Sequence, residues 1–210
     1  YHQHQKQASW QYTAADGTTA TLAATQFEAP HARRAFPCFD EPDMKATFGV
    51  TLLVDPDHLA VANSAEVERS ERDDGQVLVR FADTMKMSTY LVAWVVGPLE
   101  ATEATMVGDT PVRVVHQPGQ AHLTAFALET AEHALVYFEN YYGIAYPGDK
   151  LDLVALPDFA FGAMENLGCV TFREVLLLVD PERATRAEQR RLATVINHEL
   201  AHMWFGDLVT

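Results

Sequence analysis

The chain has 210 residues, of which 48% are hydrophobic, and its formal net charge at pH 7 is −14. This length and apolar content suffice for a hydrophobic core in one large domain or two smaller ones. The acidic excess is spread over both halves, so we expect neither nucleic acid nor an anionic membrane surface as a partner. No apolar run of about 18 residues occurs, and the sequence therefore predicts no membrane segment.

The chain contains two cysteines, Cys38 and Cys169, which lie far apart in the sequence. A single distant pair does not define a disulfide framework, and we expect both thiols to be free. The low cysteine content and the acidic composition together favour a cytoplasmic location.

The first half of the chain, residues 1–100, is predicted to form β-structure. Short strand patterns alternate with turn residues throughout it. The predicted strands are residues 9–12, 19–25, 48–54, 77–81 and 90–96, and Asp16-Gly17 is a predicted hairpin turn. Repeated short strands of this kind suggest a sandwich or a large mixed sheet.

The second half of the chain alternates strand and helix patterns. Gly97-Pro98 interrupts the first half, and we expect a domain boundary near Glu100, giving domains 1–100 and 101–210. The predicted elements are strands 112–115, 151–156, 170–172 and 175–179, a helix over residues 121–142 and a final helix that starts after Thr185. This arrangement predicts an α+β domain.

The final helix carries the pattern H-E-x-x-H at His198, Glu199 and His202. Thr185 and Glu188 form a capping-box pattern, which predicts the start of the helix. Residues four apart lie on one helix face, so the two imidazoles can bind one Zn²⁺, with Glu199 beside a water held by the metal. The alternative is an ordinary polar helix face, because the pattern arises by chance in about one chain of this length in 200.

A second motif, FGAMEN at residues 161–166, is by periodicity only a loop or the end of an edge strand. Followed about thirty residues later by the H-E-x-x-H pattern, it resembles the M1 family of zinc aminopeptidases, of the aminopeptidase N type. The family's N-terminal domain is matched by TQFE at 25–28, ARRAFPCFDEP at 32–42 and MSTYLVA at 87–93. These matches are collinear from about Thr25 onwards and are very specific in combination.

The resemblance implies a β-rich N-terminal domain with a saddle-like mixed sheet, followed by the α+β first part of a thermolysin-like zinc-peptidase domain. It also implies the role of each site residue. His198 and His202 would bind one Zn²⁺, and Glu199 would be the general base that takes a proton from the zinc-bound water. The residues implied for substrate binding are Glu165 and Glu28 for the free α-ammonium of a peptide, and Gln26, Gly162, Ala163, Met164 and Asn166 around its first residue.

Two functional residues of the M1 family have no counterpart in this sequence. The family's third zinc ligand is a Glu about twenty residues past the second His, which places it beyond Thr210. The family's later Tyr, which stabilises the oxyanion, also falls beyond Thr210. Because zinc sites usually have at least three protein ligands, we expect the 210 residues to be a fragment that binds zinc weakly and is nearly inactive by itself.

Three alternatives to a peptide-hydrolysing aminopeptidase stay open in the sequence. A thermolysin-like endopeptidase is disfavoured by Glu165 and Glu28, which penalise a peptide with no charge at that position. The leukotriene-hydrolase branch of the family has Gln in place of Glu28 and Gly in place of Ala163, and these two differences disfavour that branch for this sequence. A non-catalytic peptide-binding module is disfavoured because the H-E-x-x-H residues are intact.

Overall fold

The structure is a computed structural model that describes residues 7–13 and 17–210. Within these residues the chain forms thirteen β-strands and two α-helices. The strands are β1 Gln7–Thr13, β2 Thr19–Thr25, β3 Thr51–Val54, β4 Leu59–Ala62, β5 Glu66–Glu71, β6 Val77–Phe81, β7 Trp94–Gly97, β8 Glu100–Ala101, β9 Thr105–Val107, β10 Thr110–His116, β11 Leu151–Leu156, β12 Ala163–Met164 and β13 Cys169–Arg173. The helices are α1 Ala125–Tyr142 and α2 Arg186–Ala201.

The first half of the chain forms two antiparallel sheets. One has the strand order β1-β2-β7-β4, and the other has the order β3-β6-β5. Along β6, Val77, Val79 and Phe81 are buried, because alternate side chains of a strand point to the same face. The predicted hairpin of the first two strands is confirmed, although its turn falls partly on residues 14–16, outside the described residues.

The second half of the chain forms a mixed sheet with the order β12-β13-β11-β10-β8, and β9 pairs with β10. Strand β11 lies in the centre and is parallel to both β10 and β13. All six of its residues are buried, as expected for a strand covered on both faces. Strand β12 has only two residues and forms an edge of this sheet. The predicted fold class, a β-rich half followed by an α+β half, is confirmed.

Helices α1 and α2 pack against each other beside the mixed sheet. Trp204, just after α2, is buried against Phe138 and Tyr142 of α1, with ring centroids 5.8 and 5.5 Å apart. Its indole Nε1 also donates to the backbone oxygen of Ile144, at 3.0 Å. This aromatic contact fixes the end of α2 that carries the two histidines.

The start of α2 is the predicted capping box. The Thr185 hydroxyl accepts a hydrogen bond from the Glu188 backbone N–H at 3.3 Å, and the Thr185 backbone N–H donates to the Glu188 carboxylate at 2.8 Å. A helix cap of this kind contributes about 0.5–2 kcal/mol. The helix ends at Ala201, and His202 is its C-terminal capping residue with helical backbone angles. The two histidines therefore keep the predicted one-turn spacing.

The predicted strand over residues 90–96 is wrong in its first part. Thr89–Leu91 forms a 3-10 turn, and the strand begins only at Trp94. The side chain of Asn63 explains this, because its amide group bonds the backbone oxygen of Leu91 and the backbone N–H of Ala93. Those backbone groups are therefore not available to a strand ladder.

The predicted strand over residues 175–179 is also wrong. Glu174–Leu176 forms a 3-10 turn in which the backbone N–H groups of Leu177 and Leu178 both donate to Glu174 O. Two further predicted elements are shorter than expected. The strand over 48–54 begins at Thr51, and the helix over 121–142 begins with a separate 3-10 turn before α1 starts at Ala125.

The chain passes from the four-stranded sheet to the mixed sheet between Gly97 and Glu100. One buried hydrophobic cluster nevertheless extends across both halves, from Tyr12 to Trp204. The domain boundary near Glu100 therefore stays a prediction. Both cysteines are free thiols, as expected. In the part of the chain that the structure describes, every helix is too short or too polar to cross a membrane.

Candidate active site

His198 and His202 project from the same face of α2 and have the geometry of a metal-binding pair. Their Nε2 atoms are 3.2 Å apart. Two nitrogens that share a tetrahedral zinc, each about 2.0–2.1 Å from it, are separated by about 3.3 Å. Nδ1 of His202 lies 2.9 Å from the backbone oxygen of Phe205. Because that oxygen can only accept, Nδ1 carries the proton, and Nε2 is left with the lone pair that a metal needs.

Glu199 lies between the two histidines in sequence, but its side chain is buried, with 6% of the residue exposed. Burial is the largest cause that raises its pKa, to about 8, and the charges of Glu165 and Glu28 add to this effect. A carboxyl group with such a pKa can exchange a proton near neutral pH. A bound cation would favour its ionised form.

Glu165 follows the edge strand β12 and is partly buried. Its pKa is raised mainly by burial, and the negative charge of Glu28 raises it further. His202 and His198 act in the opposite direction, which places Glu165 within electrostatic reach of the histidine pair. The structure therefore brings the 161–166 motif to the same place as the H-E-x-x-H motif.

Glu28 comes from the other half of the chain, three residues after the end of β2. It is exposed, yet its charge raises the pKa of both Glu165 and Glu199. Three sequence-distant segments thus contribute carboxylates to one small region. Such a concentration of negative charge favours a cationic ligand, and a zinc ion and a peptide ammonium are both cations.

Gln26 is also in this part of the chain, but its side chain is buried, with 5% of the residue exposed. Neither its Nε2 nor its Oε1 has a hydrogen-bond partner among the described residues. A buried polar group that makes no hydrogen bond is destabilising by about 1–3 kcal/mol. The structure records no contact that joins Gln26 to the histidine pair, so its predicted role stays a prediction.

Two residues of the 161–166 motif, Ala163 and Met164, form the edge strand β12. Ala163 pairs with Phe172 and Met164 with Thr171, both on β13, and Gly162 O accepts from the Arg173 backbone N–H at 2.9 Å. Met164 is buried, with 1% of the residue exposed. Asn166 is buried as well, and its Nδ2 donates weakly to Thr171 Oγ1 at 3.4 Å. The predicted contacts of Gly162, Ala163, Met164 and Asn166 with substrate stay predictions.

Two residues that the sequence analysis did not single out lie within electrostatic reach of the site. Asp207 is fully buried, and neither carboxylate oxygen has a hydrogen-bond partner in the described part of the chain. Its pKa is raised well above the usual value by burial and by Glu165. Tyr90 is half-buried, and burial, Glu165, Asp207 and Glu28 all raise its pKa. Tyr90 falls within the MSTYLVA segment, whereas no pattern in the sequence marks Asp207.

The histidine pair has no third metal ligand beside it among the described residues. Residues 7–13 and 17–210 contain no group of three or more His, Cys, Asp or Glu side chains arranged to hold a metal ion. Two nitrogens at the spacing of zinc ligands, beside an excess of carboxylates, fit a zinc site that still needs a further ligand.

Comparison with known families agrees with this geometry. The family model described as "Peptidase M1 N-terminal domain" matches residues 4–91, and the one described as "Peptidase family M1 domain" matches residues 126–210. The first covers most of the β-rich half, and the second covers nearly all of α1, the edge strand and the H-E-x-x-H helix. The chain belongs to peptidase family M1.

Curated relatives extend the comparison to named proteins. Aminopeptidase M1-A of Oryza sativa subsp. japonica is 47% identical over 196 residues, which is 93% of this chain and 22% of the relative. Puromycin-sensitive aminopeptidase of Caenorhabditis elegans is 45% identical, over 95% of this chain and 21% of the relative. Endoplasmic reticulum aminopeptidase 2 of Bos taurus is 44% identical, over the same shares of 95% and 21%. The chain spans about a fifth of the length of these relatives.

Proposed function

We propose that the protein is a zinc-dependent aminopeptidase that hydrolyses the N-terminal residue from peptides. The observation that carries this proposal is that three features lie together in one region of the structure. They are a histidine pair at the spacing of zinc ligands, a buried carboxylate beside it, and further carboxylates from two distant segments. Membership of peptidase family M1 and the names of the relatives support it.

His198 and His202 would hold the zinc ion through their Nε2 atoms. The contact between His202 Nδ1 and Phe205 O supports this, because it fixes the ring orientation and the tautomer. When bound, zinc polarises the carbonyl of the scissile bond and lowers the pKa of a water molecule towards about 7. We place the third ligand, a glutamate, after Thr210, as the resemblance to the family implies.

Glu199 would act as the general base and then as the general acid. In its ionised form it accepts a proton from the attacking water, and it later delivers a proton to the nitrogen of the leaving peptide. Its buried position beside the histidine pair supports this role, and a bound cation would favour the ionised form that accepts the proton. Its burial also keeps bulk water from competing for the carboxylate.

Glu165 and Glu28 would bind the free α-ammonium of the substrate. A charge-assisted hydrogen bond in a partly buried site contributes about 1.5–3 kcal/mol, so two such contacts separate a free amino terminus from a blocked one. Glu165 is the more buried of the two and would contribute more. Gln26 and the backbone at Gly162, Ala163, Met164 and Asn166 would surround the first residue, with strand addition at the β12 edge.

A second candidate applies to the 210 residues by themselves. The histidine pair lacks a third ligand within the described residues, which favours a weak zinc-binding or peptide-binding module without turnover. In this view activity belongs to the complete protein, whose relatives are about five times longer than this chain. We further propose that the region up to about Glu100 and the region after it are separate domains of that protein.

Localisation follows from weaker features and is also a proposal. The acidic composition and the two free cysteines favour the cytoplasm. Some relatives carry the endoplasmic reticulum in their names, so cell fractionation of the native protein is the deciding measurement.

The test is to measure zinc content and hydrolysis of amino-acid anilides for the 210-residue chain and the complete protein. Bound zinc and activity in the complete protein, with little of either in the short chain, would support both the aminopeptidase and the distant third ligand. A complete protein that binds zinc and hydrolyses no anilide would overturn the proposed activity. Steady turnover by the short chain would overturn the missing-ligand proposal alone.

A further inference from the structure

Asn63, just after β4, joins three segments of the chain through its side-chain amide. Nδ2 donates to Leu91 O and to Leu167 O, each at 2.8 Å, and Oδ1 accepts from the Ala93 backbone N–H at 2.8 Å. The residue is 3% exposed, so all of these bonds are shielded from water. Both amide hydrogens and one acceptor site are used, which leaves little freedom to rotate.

The partners of Asn63 lead to the two carboxylates that the proposed function assigns to the peptide ammonium. On one side, Leu167 is two residues after Glu165 in the chain. On the other side, Ala93 precedes Trp94, whose backbone N–H donates to Thr25 Oγ1 at 3.1 Å. Thr25 is three residues before Glu28. Hydrogen bonds of Asn63 and Thr25, joined by the peptide bond between Ala93 and Trp94, therefore connect the segment of Glu165 with that of Glu28.

The backbones of Asn63 and Gly168 also approach each other closely, which limits how far the segments that carry them can move relative to each other. Gly168 has φ = +71°, and a Cβ atom built on it would lie 1.9 Å from Asn63 O. Only glycine fits such an approach. The buried Lys150 reinforces it, because its Nζ donates to Ala62 O at 2.5 Å and to Gly168 O at 2.6 Å.

We propose that Asn63 is a positioning residue for amine recognition, which sets the distance between Glu165 and Glu28. The inference rests on the proposed function, in which those two carboxylates bind the substrate ammonium. Asn63 touches neither substrate nor metal and acts through Leu167 on one side and through Ala93 and Thr25 on the other. Displacement of a binding group by about 1 Å can change rates about 100-fold, so loosening this connection has a measurable effect.

The first test is Asn63→Asp in the complete protein, because aspartate keeps the size and the acceptor but cannot donate to the two carbonyl groups. We expect the KM for an amino-acid anilide and the inhibition constant of leucinamide to rise about tenfold. The inhibition constant of N-acetylleucinamide, which lacks the ammonium, should stay unchanged. The value of kcat should stay within about threefold, and zinc content should stay the same, because the histidine pair lies on another element.

Asn140→Asp is the matched control. Its Nδ2 also donates to a backbone oxygen, that of Val136, but it lies on the exposed face of α1. We expect no change in any of the five quantities, which are KM, kcat, zinc content and the two inhibition constants. A change as large as that in Asn63→Asp would contradict a specific role for Asn63.

A purely structural role for Asn63 predicts a different result. The melting temperature of Asn63→Asp would fall while KM and both inhibition constants stayed at the wild-type values, and this outcome overturns the proposal.

If Asn63→Asp does not fold, the variants Thr25→Val and Thr25→Ser test the proposal instead. Thr25→Val removes the hydroxyl that accepts from the Trp94 backbone N–H and should raise KM. Thr25→Ser keeps that hydroxyl and should have the wild-type KM. Equal KM values for the two variants would overturn the proposal. A wild-type protein that binds leucinamide and N-acetylleucinamide equally overturns the proposed ammonium site, and this inference with it.

Discussion

The two ends of the candidate site are built in different ways. The proposed metal-binding end, His198 and His202 with Glu199, lies on α2 and its C-terminal cap and owes its geometry to one turn of helix. The proposed amine-binding end, Glu165 with Glu28, is assembled from the segment after an edge strand and from a segment 137 residues earlier in the chain. The first end needs local helix formation, whereas the second needs the packing of both halves of the chain.

In the proposed function, this difference assigns metal binding and proton transfer to one end of the site, and selectivity for a free amino group to the other. Changes on α2 should remove metal binding or proton transfer and leave the preference for a free amino group untouched. Changes at Glu165, Glu28 or the contacts behind them should weaken that preference and leave zinc in place. The following predictions, measured on the complete protein, test this separation from the largest expected effect to the smallest.

Glu199→Gln is expected to reduce kcat by about 10²–10⁴-fold, because the amide has nearly the same shape but cannot accept the proton. Zinc content and the inhibition constant of leucinamide should change little. Steady-state kinetics with metal analysis by mass spectrometry check this. A decrease of less than tenfold in kcat would assign the proton transfer to another group.

His202→Ala is expected to weaken zinc binding by at least about 100-fold, because loss of a ligand should exceed the 10–100-fold effect typical of residues behind the ligands. The measurement is a competition titration against a zinc chelator. His133→Ala is the control, since that imidazole also bonds a backbone oxygen four residues earlier in a helix. Equal zinc affinity in both variants would remove the histidine pair from the metal site.

Glu165→Gln is expected to lower kcat/KM for amino-acid anilides by about 10–150-fold, which corresponds to about 1.5–3 kcal/mol for a charge-assisted hydrogen bond. The reason is the loss of a partly buried partner for the ammonium. N-acetylated inhibitors should bind as they do to the wild type. A loss of zinc in this variant would show that the two ends of the site are not independent.

Glu28→Gln should produce the same kind of change but a smaller one. Glu28 is exposed, and an ion pair in contact with water contributes at most about 1 kcal/mol, or about fivefold in kcat/KM. The ratio of the effects in Glu165→Gln and Glu28→Gln is the informative quantity. A larger effect at Glu28 would mean that substrate binding buries this carboxylate.

Thr185→Ala tests how local the metal-binding end is. Loss of the capping box should lower the free energy of unfolding by about 0.5–2 kcal/mol, measured by urea denaturation. Thr194→Ala is the control, because its hydroxyl bonds only to Arg190 O within the exposed part of the same helix. We expect the leucinamide inhibition constant to be unchanged in both variants. A large change would couple the start of α2 to the amine-binding end.

Much of the metal-binding end could be predicted from the sequence because its determinants are local. The capping box at Thr185 and the spacing of the histidines follow from helix geometry, and the structure contains both. The strand over residues 151–156 was predicted with its final bounds, because a short and continuous apolar run suits the centre of a parallel sheet.

The other end could not be derived in this way. The proximity of Glu28 to Glu165 depends on tertiary packing and was expected only through the resemblance to a family. Residues 90–96 appeared to be a strand because they are apolar, but one distant side chain, Asn63, takes their backbone groups. The burial of Asp207 is not predictable for a related reason, because nothing local predicts the burial of an acidic residue after a helix.

The edge strand β12 is only two residues long, which has a consequence for how peptide length affects binding. A peptide aligned on this edge can form backbone ladder bonds with one or two residues before the strand ends. Residues further along the peptide gain no additional pairing there. If peptides bind by the proposed strand addition, their affinity for this edge should therefore level off at about a tripeptide, so that short and long peptides compete for it on nearly equal terms.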